Sequence, residues 1–128
     1  MTTKYNTRQS GDVTILDLSG RLSLAEAVAF GPGSGVILGD TIRDLVKKGQ
    51  KKILLNLTEI TYADSSGIGQ LVSAMTTTRG QGGDLKLLRP HTRVFDLLKT
   101  TRLDLIFDIH TDEAAAIQAF GRGAAARA

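Results

Sequence analysis

The chain has no cysteine among its 128 residues, so it can form no disulfide bond and perform no thiol chemistry. This absence suits a reducing compartment, and we expect a cytoplasmic protein. Long apolar runs are also missing, since the longest is far shorter than the roughly 20 residues that a membrane-spanning helix needs. The first residues contain no apolar segment of the signal-peptide type. We therefore expect no secretion signal and no membrane insertion.

Aromatic residues are scarce, at 5% of the chain, and they are not interleaved with arginine. A stacking platform for single-stranded nucleic acid is therefore not expected. The net charge of +3 would suit nucleic acid, but the basic residues are scattered. Only Lys47, Lys48, Lys51 and Lys52 form a local cluster, which we interpret as a solvated helix end and turn. The composition thus predicts no direct nucleic-acid partner.

The length is sufficient for one domain with a full hydrophobic core. We predict a single domain over residues 1–120 and a flexible tail over residues 121–128, which have little to pack against. Apolar alternation and turn residues predict strands, the first two forming a hairpin. These strands are Lys4–Gln9, Val13–Leu18, Lys52–Leu57, Leu85–Leu88 and an edge strand at Leu105–Phe107.

Apolar residues at helical spacing predict helices between these strands. The predicted helices are about 38–48, Ser66–Thr78, a segment that follows Thr92, Asp112–Phe120, and a short one at Leu24–Val28 capped by Ser23. The glycines of Gly31–Gly35 predict an irregular loop. Alternating strands and helices imply right-handed crossovers between parallel strands. The prediction is an α/β fold with a mixed, mostly parallel sheet of four to five strands, an N-terminal hairpin and about four to five helices.

The most informative segment is Tyr62–Gly69, which reads YADSSGIG and lies between a predicted strand and a predicted helix. Its residues Asp64, Ser65 and Ser66 are all favoured at helix starts. Two hydroxyls and a carboxylate are therefore expected at an exposed helix N-terminus, where ligands and chemistry collect in open α/β sheets. From the residues alone, Ser65 is either a capping hydroxyl or a reactive one. Asp64 is either a turn former or a group that orients Ser65.

Several enzymatic and ligand-binding motifs fail on inspection. The glycines from Gly31 to Gly39 fit neither the Walker nor the dinucleotide pattern. The position directly before Thr41, where the Walker motif requires lysine, is aspartate. His91 and His110 have no second ligand at metal spacing. Ala63 stands where the nucleophile elbow of hydrolases requires glycine. We therefore expect a protein that is not an enzyme and that uses no cofactor or metal.

The segment Leu55–Ile60 (LNLTEI), followed by Asp64–Gly69 (DSSGIG), resembles the signature of STAS domains, a family named after sulfate transporters and anti-sigma factor antagonists. Three flanking segments occur in the same order as in the family: LSG at 18–20, GGDLKL at 82–87 and VFDLL at 94–98. The resemblance covers residues 8–119 and implies the STAS fold. A free-standing domain of this size most resembles the bacterial anti-sigma factor antagonists.

The resemblance implies a partner-switching mechanism. The unphosphorylated antagonist binds an anti-sigma factor that is also a serine kinase, and a sigma factor is released. The kinase phosphorylates the serine that follows the aspartate, here Ser65, and a serine/threonine phosphatase resets the switch. The partner-binding residues that the resemblance implies are Asp64, Ser65, Ser66, Gly67, Ile68 and Gln70.

Two positions depart from the pattern of the antagonists. Arg21 and Ser23 stand where antagonists often carry acidic residues, in a segment like Gly-Glu-Leu-Asp. Two alternative functions therefore stay open. One is a non-switching STAS subunit of a lipid-transport or stressosome-like complex, and the other is a module that binds a small molecule or nucleotide through its glycine-rich loop.

Overall fold

The structure is a computed structural model that describes residues 4–22 and 37–127, with side chains described for 6–22 and 41–120. Within these residues the chain forms five strands and four α-helices. The strands are β1 (Lys4–Ser10), β2 (Val13–Leu22), β3 (Lys52–Ala63), β4 (Asp84–Leu88) and β5 (Asp108–His110). The helices are α1 (Ile37–Lys47), α2 (Ser65–Gly80), α3 (Thr92–Thr100) and α4 (Glu113–Arg127), with a 3-10 turn at Leu103–Leu105. No helix in this part of the chain is long and apolar enough to cross a membrane.

The five strands form one sheet in the order β1-β2-β3-β4-β5. The hairpin pairs β1 and β2 antiparallel, whereas all later neighbours are parallel. The tight turn of the hairpin uses Gly11 at φ +59°, in the left-handed region that glycine occupies without a steric penalty. The predicted mixed, mostly parallel sheet with an N-terminal hairpin is therefore confirmed.

Helices cover both faces of the sheet unequally. The larger core cluster lies between one face and three helices, and it includes Ile42 of α1, Leu71 of α2 and Leu98 of α3. Among the described residues, the other face packs against α4 alone, through a smaller cluster that contains Ala116 and Phe120. Parallel strands buried on both faces carry near-continuous apolar runs, which explains the sequence of β3.

Helix α1 ends at Lys47, one residue before the predicted end. Gly49 adopts φ +89°, and the N–H of Gln50 donates to the carbonyl oxygen of Leu45 at 2.9 Å. This arrangement is a Schellman-type C-cap, in which glycine takes the left-handed position. It turns the chain directly into β3, at the amino ends of the parallel strands.

Two strand predictions were several residues too short, those for β1 and β4 were one residue too short, and one was wrong. β2 runs to Leu22 and β3 to Ala63, because irregularities after Asp17 and Gly20 let the two strands stay paired beyond the expected ends. The predicted edge strand at Leu105–Phe107 is instead the end of a 3-10 turn and the chain that follows it. The edge strand is Asp108–His110, since Asp108 is the residue that pairs with Lys86 of β4.

The helix boundaries also differ from the prediction. α2 starts one residue earlier and ends two residues later than expected, and α4 continues to Arg127 rather than ending at Phe120. The domain boundary at residue 120 and the flexible tail stay predictions. The predicted helix at Leu24–Val28, its cap Ser23 and the Gly31–Gly35 loop lie outside the described residues.

A salt-bridge network holds the start of α4 on the sheet. Arg8 of β1 donates from Nη2 to an oxygen of Asp17 at 2.9 Å and to Oε1 of Glu113 at 2.7 Å. Asn56 of β3 donates to the same Asp17 carboxylate at 2.8 Å. Because Arg8 is bonded to it, the pKa of Asp17 lies below its usual range. These contacts link α4 to three strands.

A buried lysine holds the other end of this face. Lys86 of β4 is only 1% exposed, and its Nζ lies 2.6 Å from Oδ2 of Asp108 and 3.3 Å from Oδ2 of Asp84. The ammonium group also lies 5.0 Å from the ring centroid of Phe120, in a cation–π arrangement. Burial raises the pKa of Asp108, but hydrogen bonds from Lys86 and His110 outweigh it, so that pKa lies below its usual range.

We predict that Asp108→Asn lowers the free energy of unfolding by about 2 kcal/mol, because it leaves a buried ammonium group with one carboxylate fewer. The value lies below that for a fully buried pair, since the Asp108 side chain is 42% exposed and Asp84 still faces Lys86. Urea unfolding followed by circular dichroism measures it.

The matched control is Asp12→Asn, which removes another aspartate–lysine contact of 2.6 Å, to Lys52. The Asp12 side chain is 73% exposed, so the pair lies in water and we expect no measurable loss of stability. Equal losses in the two variants would contradict the assigned role of the buried pair.

Candidate functional site

The segment after β3 starts helix α2 through the aspartate of the motif. Asp64 is the N-cap residue, with extended backbone angles of φ −111° and ψ −174°. Its Oδ1 accepts a hydrogen bond from the N–H of Gly67 at 2.9 Å, and its carbonyl oxygen accepts one from the N–H of Ile68 at 2.9 Å. The first bond satisfies an N–H that a helix start leaves unpaired, and the second is the first backbone hydrogen bond of the helix itself. Asp64 is therefore the capping residue, which settles the choice among the three candidates.

Because Asp64 occupies the cap, the two serines form the first helical residues. Ser65 and Ser66 are both exposed. Within the described residues, neither hydroxyl has a hydrogen-bond partner, so neither is used to hold the helix. Their backbone N–H groups precede the first helical hydrogen bond and lie at the positive end of the helix dipole.

Gly67 holds the helix start against the end of the neighbouring strand. A Cβ atom at this position would lie 2.0 Å from the carbonyl oxygen of Leu22 and 2.8 Å from its Cβ. The N–H of Asp64 also donates to the Leu22 carbonyl oxygen, at 3.3 Å. The missing side chain at Gly67 therefore admits the backbone of β2 rather than that of a visiting protein. At Gly69, by contrast, no atom lies within 4 Å of the equivalent position.

The remaining predicted contact residues divide between core and surface. Ile68 is 3% exposed and belongs to the larger core cluster, so its side chain is not on the outer face of α2. Gly67 is buried as well. Gln70 is half-buried and Ser73 is exposed. The surface that the structure offers around the serines is therefore formed by Asp64, Ser65, Ser66 and Gln70.

A neighbouring feature was not predicted from the sequence. The guanidinium group of Arg21 lies 4.5 Å from the ring centroid of Tyr62, a cation–π arrangement between residues paired in register on β2 and β3. The pair directly precedes Leu22 and Ala63, which lead to the helix start. The sequence signal was the basic residue at position 21, but only the extended pairing of β2 with β3 connects it to Tyr62.

The described residues contain no group of three or more histidine, aspartate or glutamate side chains placed to hold a metal ion. His91 forms the cap position of α3 without a side-chain hydrogen bond, and His110 lies on β5 beside Asp108. Neither histidine contacts Ser65. The arrangement at the start of α2 therefore presents an uncommitted hydroxyl that neither histidine contacts, with the Asp64 carboxylate as the preceding residue.

Comparisons with known proteins agree with this fold. A family model described as "STAS domain" matches residues 4–116. The anti-sigma-B factor antagonist of Bacillus subtilis is 29% identical over 85 residues, which cover 66% of this chain and 77% of that protein. A Thermotoga neapolitana protein, provisionally named an anti-sigma factor antagonist, is 32% identical over 75 residues, which cover 59% of this chain and 66% of that protein. This chain thus spans just under two thirds of the Thermotoga relative.

Among solved structures, a provisionally named anti-sigma factor antagonist of Thermotoga maritima superposes with a TM-score of 0.76. It is 25% identical, and the match covers 91% of this chain and 93% of that one. The expected STAS fold is thereby confirmed. Since the family model matches well over half of the sequence, the chain belongs to the STAS domain family.

Proposed function

We propose that this chain is an anti-sigma factor antagonist, a partner-switching module that binds an anti-sigma factor serine kinase in the cytoplasm and thereby releases a sigma factor. The names of its relatives support this function. The observation that carries it is the hydroxyl of Ser65, which is exposed at the first position of α2 and has no partner among the described residues. Ser65 is the proposed phosphoacceptor, and a serine/threonine phosphatase removes the phosphate.

Asp64 gives Ser65 a defined position. Because the carboxylate of Asp64 is bonded to the N–H of Gly67 and its own N–H to the carbonyl oxygen of Leu22, the residue before Ser65 is held from two sides. An incoming kinase therefore meets a hydroxyl whose backbone is ordered, rather than one on a loop. The proposed role of Asp64 is to hold the phosphoacceptor, in addition to any contact with the partner.

The fold itself tolerates a phosphate at this position. Phosphorylation adds about −1.5 to −2 charges and three acceptor oxygens. At a helix start these oxygens meet backbone N–H groups and the positive end of the dipole. The phosphorylated protein should therefore stay folded, and the modification acts on the surface.

The same charge repels a partner. The partner surface that fits a neutral Ser65 hydroxyl would have to bury the unpaired phosphate dianion next to the Asp64 carboxylate. That burial costs several kcal/mol of binding free energy. The proposed contact surface is formed by Asp64, Ser65, Ser66 and Gln70, whereas Ser73 lies beyond it, two turns from Ser65 along α2. Gly67 and Ile68, which the family resemblance also implied, contribute by holding the helix rather than by direct contact, because both are buried.

Incubation with an anti-sigma factor serine kinase from the same organism and ATP tests the proposal. Mass spectrometry should find one phosphate on the native chain and on Ser66→Ala, and none on Ser65→Ala. Ser66 is the matched control, because it is the adjacent exposed serine on the same helix turn. Phosphate on Ser66 alone would reassign the site.

Absence of phosphate on both serines, together with retained binding to a permease or a second STAS protein, would favour the alternative function. In that case the chain is a non-switching STAS subunit of a lipid-transport or stressosome-like complex. The exposed serines would then be interface residues.

A further inference from the structure

The 3-10 turn between α3 and β5 exposes two large apolar side chains. Leu105 is 76% exposed and Ile106 is 46% exposed, whereas the next residue, Phe107, is buried. Burying Phe107 alone would not require its two predecessors to be apolar. A single exposed apolar side chain is ordinary, but two adjacent ones that project together mark a candidate contact surface.

These side chains lie at the end of the molecule where the parallel strands begin. Nη2 of Arg79 donates to the carbonyl oxygen of Ile106 at 3.4 Å, and Nε of Arg79 lies 3.7 Å from Asp84 at the start of β4. The N–H of Asp84 donates to the carbonyl oxygen of Lys51 at 2.8 Å. The turn after α3 is therefore connected through Arg79 to the residues that precede β3 and β4.

The same end is rich in basic side chains. Each of the three helices on the larger face has a basic residue in its last turn, and further basic residues follow in the connecting turns. We call this set the basic end, and all of its members are exposed: Lys47, Lys48, Lys51, Arg79, Lys99 and Arg102.

Compensation of a helix dipole explains a basic residue in the last turn, but not those beyond the helix. Lys48, Lys51 and Arg102 all lie outside the helices.

Acidic residues at this end do not cancel the charge. Asp12 forms an ion pair with Lys52, and Asp84 is shared by Arg79 and Lys86. Two further acidic side chains lie among the six basic ones: Asp44 in the last turn of α1, and Asp104 within the turn that carries Leu105. The surface around the apolar pair is therefore positively charged overall.

We propose that the basic end, with Leu105 and Ile106, docks reversibly on the surface of a membrane that contains anionic lipids. Basic side chains are attracted to the negative surface potential, and projecting apolar side chains enter the boundary between headgroups and acyl chains. Leu105 projects outward instead of lining a groove, which suits a soft bilayer surface better than a folded acidic protein. The contact is peripheral and leaves every helix outside the membrane.

Docking in this orientation leaves the proposed phosphoacceptor accessible. Lys51 precedes β3 and Ser65 follows it, so the two residues lie beyond opposite ends of a strand of 12 residues. A strand of that length spans about 40 Å when fully extended. A kinase could therefore reach Ser65 while the basic end contacts lipid, and the two surfaces can be tested separately.

Co-sedimentation of the full chain with vesicles tests the proposal. We expect at least tenfold more binding to vesicles of equal parts phosphatidylglycerol and phosphatidylcholine than to phosphatidylcholine alone, at about 50 mM salt. Raising the salt to about 500 mM should remove most of it, because screening shortens the range of the attraction. Equal binding to both kinds of vesicle, or binding to neither, would overturn the proposal.

Three variants assign the binding to this end. The double variant Leu105→Ser, Ile106→Ser should lower vesicle affinity at least fivefold, and Lys51→Glu about tenfold. The control is Arg93→Glu, which makes the same charge change at an exposed position in the first turn of α3, at the opposite end of that helix. An equal loss in Arg93→Glu and Lys51→Glu would overturn the assignment.

A soluble acidic polymer separates lipid from protein as the partner. If polyglutamate binds the chain and the anionic vesicles do not, the basic end is an acidic-protein surface and the membrane proposal fails. All of these measurements use unphosphorylated protein without kinase, so their outcome is independent of the fate of Ser65.

Discussion

Gly67→Ala is expected to destabilise the protein by more than about 3 kcal/mol, or to prevent folding altogether. The new Cβ would lie 2.0 Å from the carbonyl oxygen of Leu22 and 2.6 Å from its carbonyl carbon. Both are backbone atoms in a paired strand, so no side-chain rotation relieves the clash. The helix must instead move away from β2, and the hydrogen bond from Asp64 to the Leu22 carbonyl oxygen is lost with it.

Gly69→Ala is the matched control, because it makes the same change two residues later on the same helix. No atom lies within 4 Å of the added methyl group, and alanine is favoured over glycine inside a helix by about 1 kcal/mol. We therefore expect Gly69→Ala to be neutral or slightly stabilising in urea unfolding. If both variants unfold at the same denaturant concentration, the close approach between α2 and β2 is not what positions the site.

Ser65→Asp is expected to weaken binding to the anti-sigma factor kinase by roughly a thousandfold, which corresponds to about 4 kcal/mol. The added carboxylate brings a second negative charge next to Asp64, on a surface that otherwise presents a neutral hydroxyl to its partner. Stability should change little, because an acidic residue is favourable in the first turn of a helix. Isothermal titration calorimetry gives the affinity, and thermal unfolding checks the fold.

Two further variants test whether the loss of binding depends on negative charge at position 65 or on negative charge anywhere along α2. Ser65→Ala should bind with nearly native affinity, since it keeps the position neutral. Ser73→Asp adds the same charge at an exposed position two turns along α2 and should weaken binding by less than tenfold. A thousandfold loss in Ser73→Asp, or unchanged affinity in Ser65→Asp, would contradict the proposed switch.

The strand, turn and helix around the motif could be predicted because local signals agree there. The first half of β3 is a nearly continuous apolar run, Asp64 is a favoured capping residue, and Leu71 follows at helical spacing. The role of Gly67 could not be predicted, because it depends on Leu22, which lies 45 residues earlier in the chain. The family resemblance implied Gly67 as a partner-binding residue, whereas the structure packs it against the backbone of Leu22 in the neighbouring strand.

The edge strand shows why short apolar runs mislead. Leu105, Ile106 and Phe107 have the composition of a strand, yet only Phe107 is buried. The actual strand begins at Asp108, because Lys86 on β4 needs a carboxylate beside it. A lysine buried in the middle of a strand is rare, and no local pattern reveals which aspartate compensates it. The start of β5 and the aspartate that faces Lys86 are both set by the pairing of β5 with β4, which a local sequence pattern does not reveal.

The exposed second position of α2 also makes the chain convenient for spectroscopy. Because the sequence contains no native thiol, one cysteine introduced at Ser66 would be the sole attachment point for a fluorophore or spin label. Such a reporter would sit beside the proposed phosphoacceptor without replacing it. Its emission or mobility would report binding and release of a partner in real time. No other side chain of the protein carries a thiol that would react with a maleimide label.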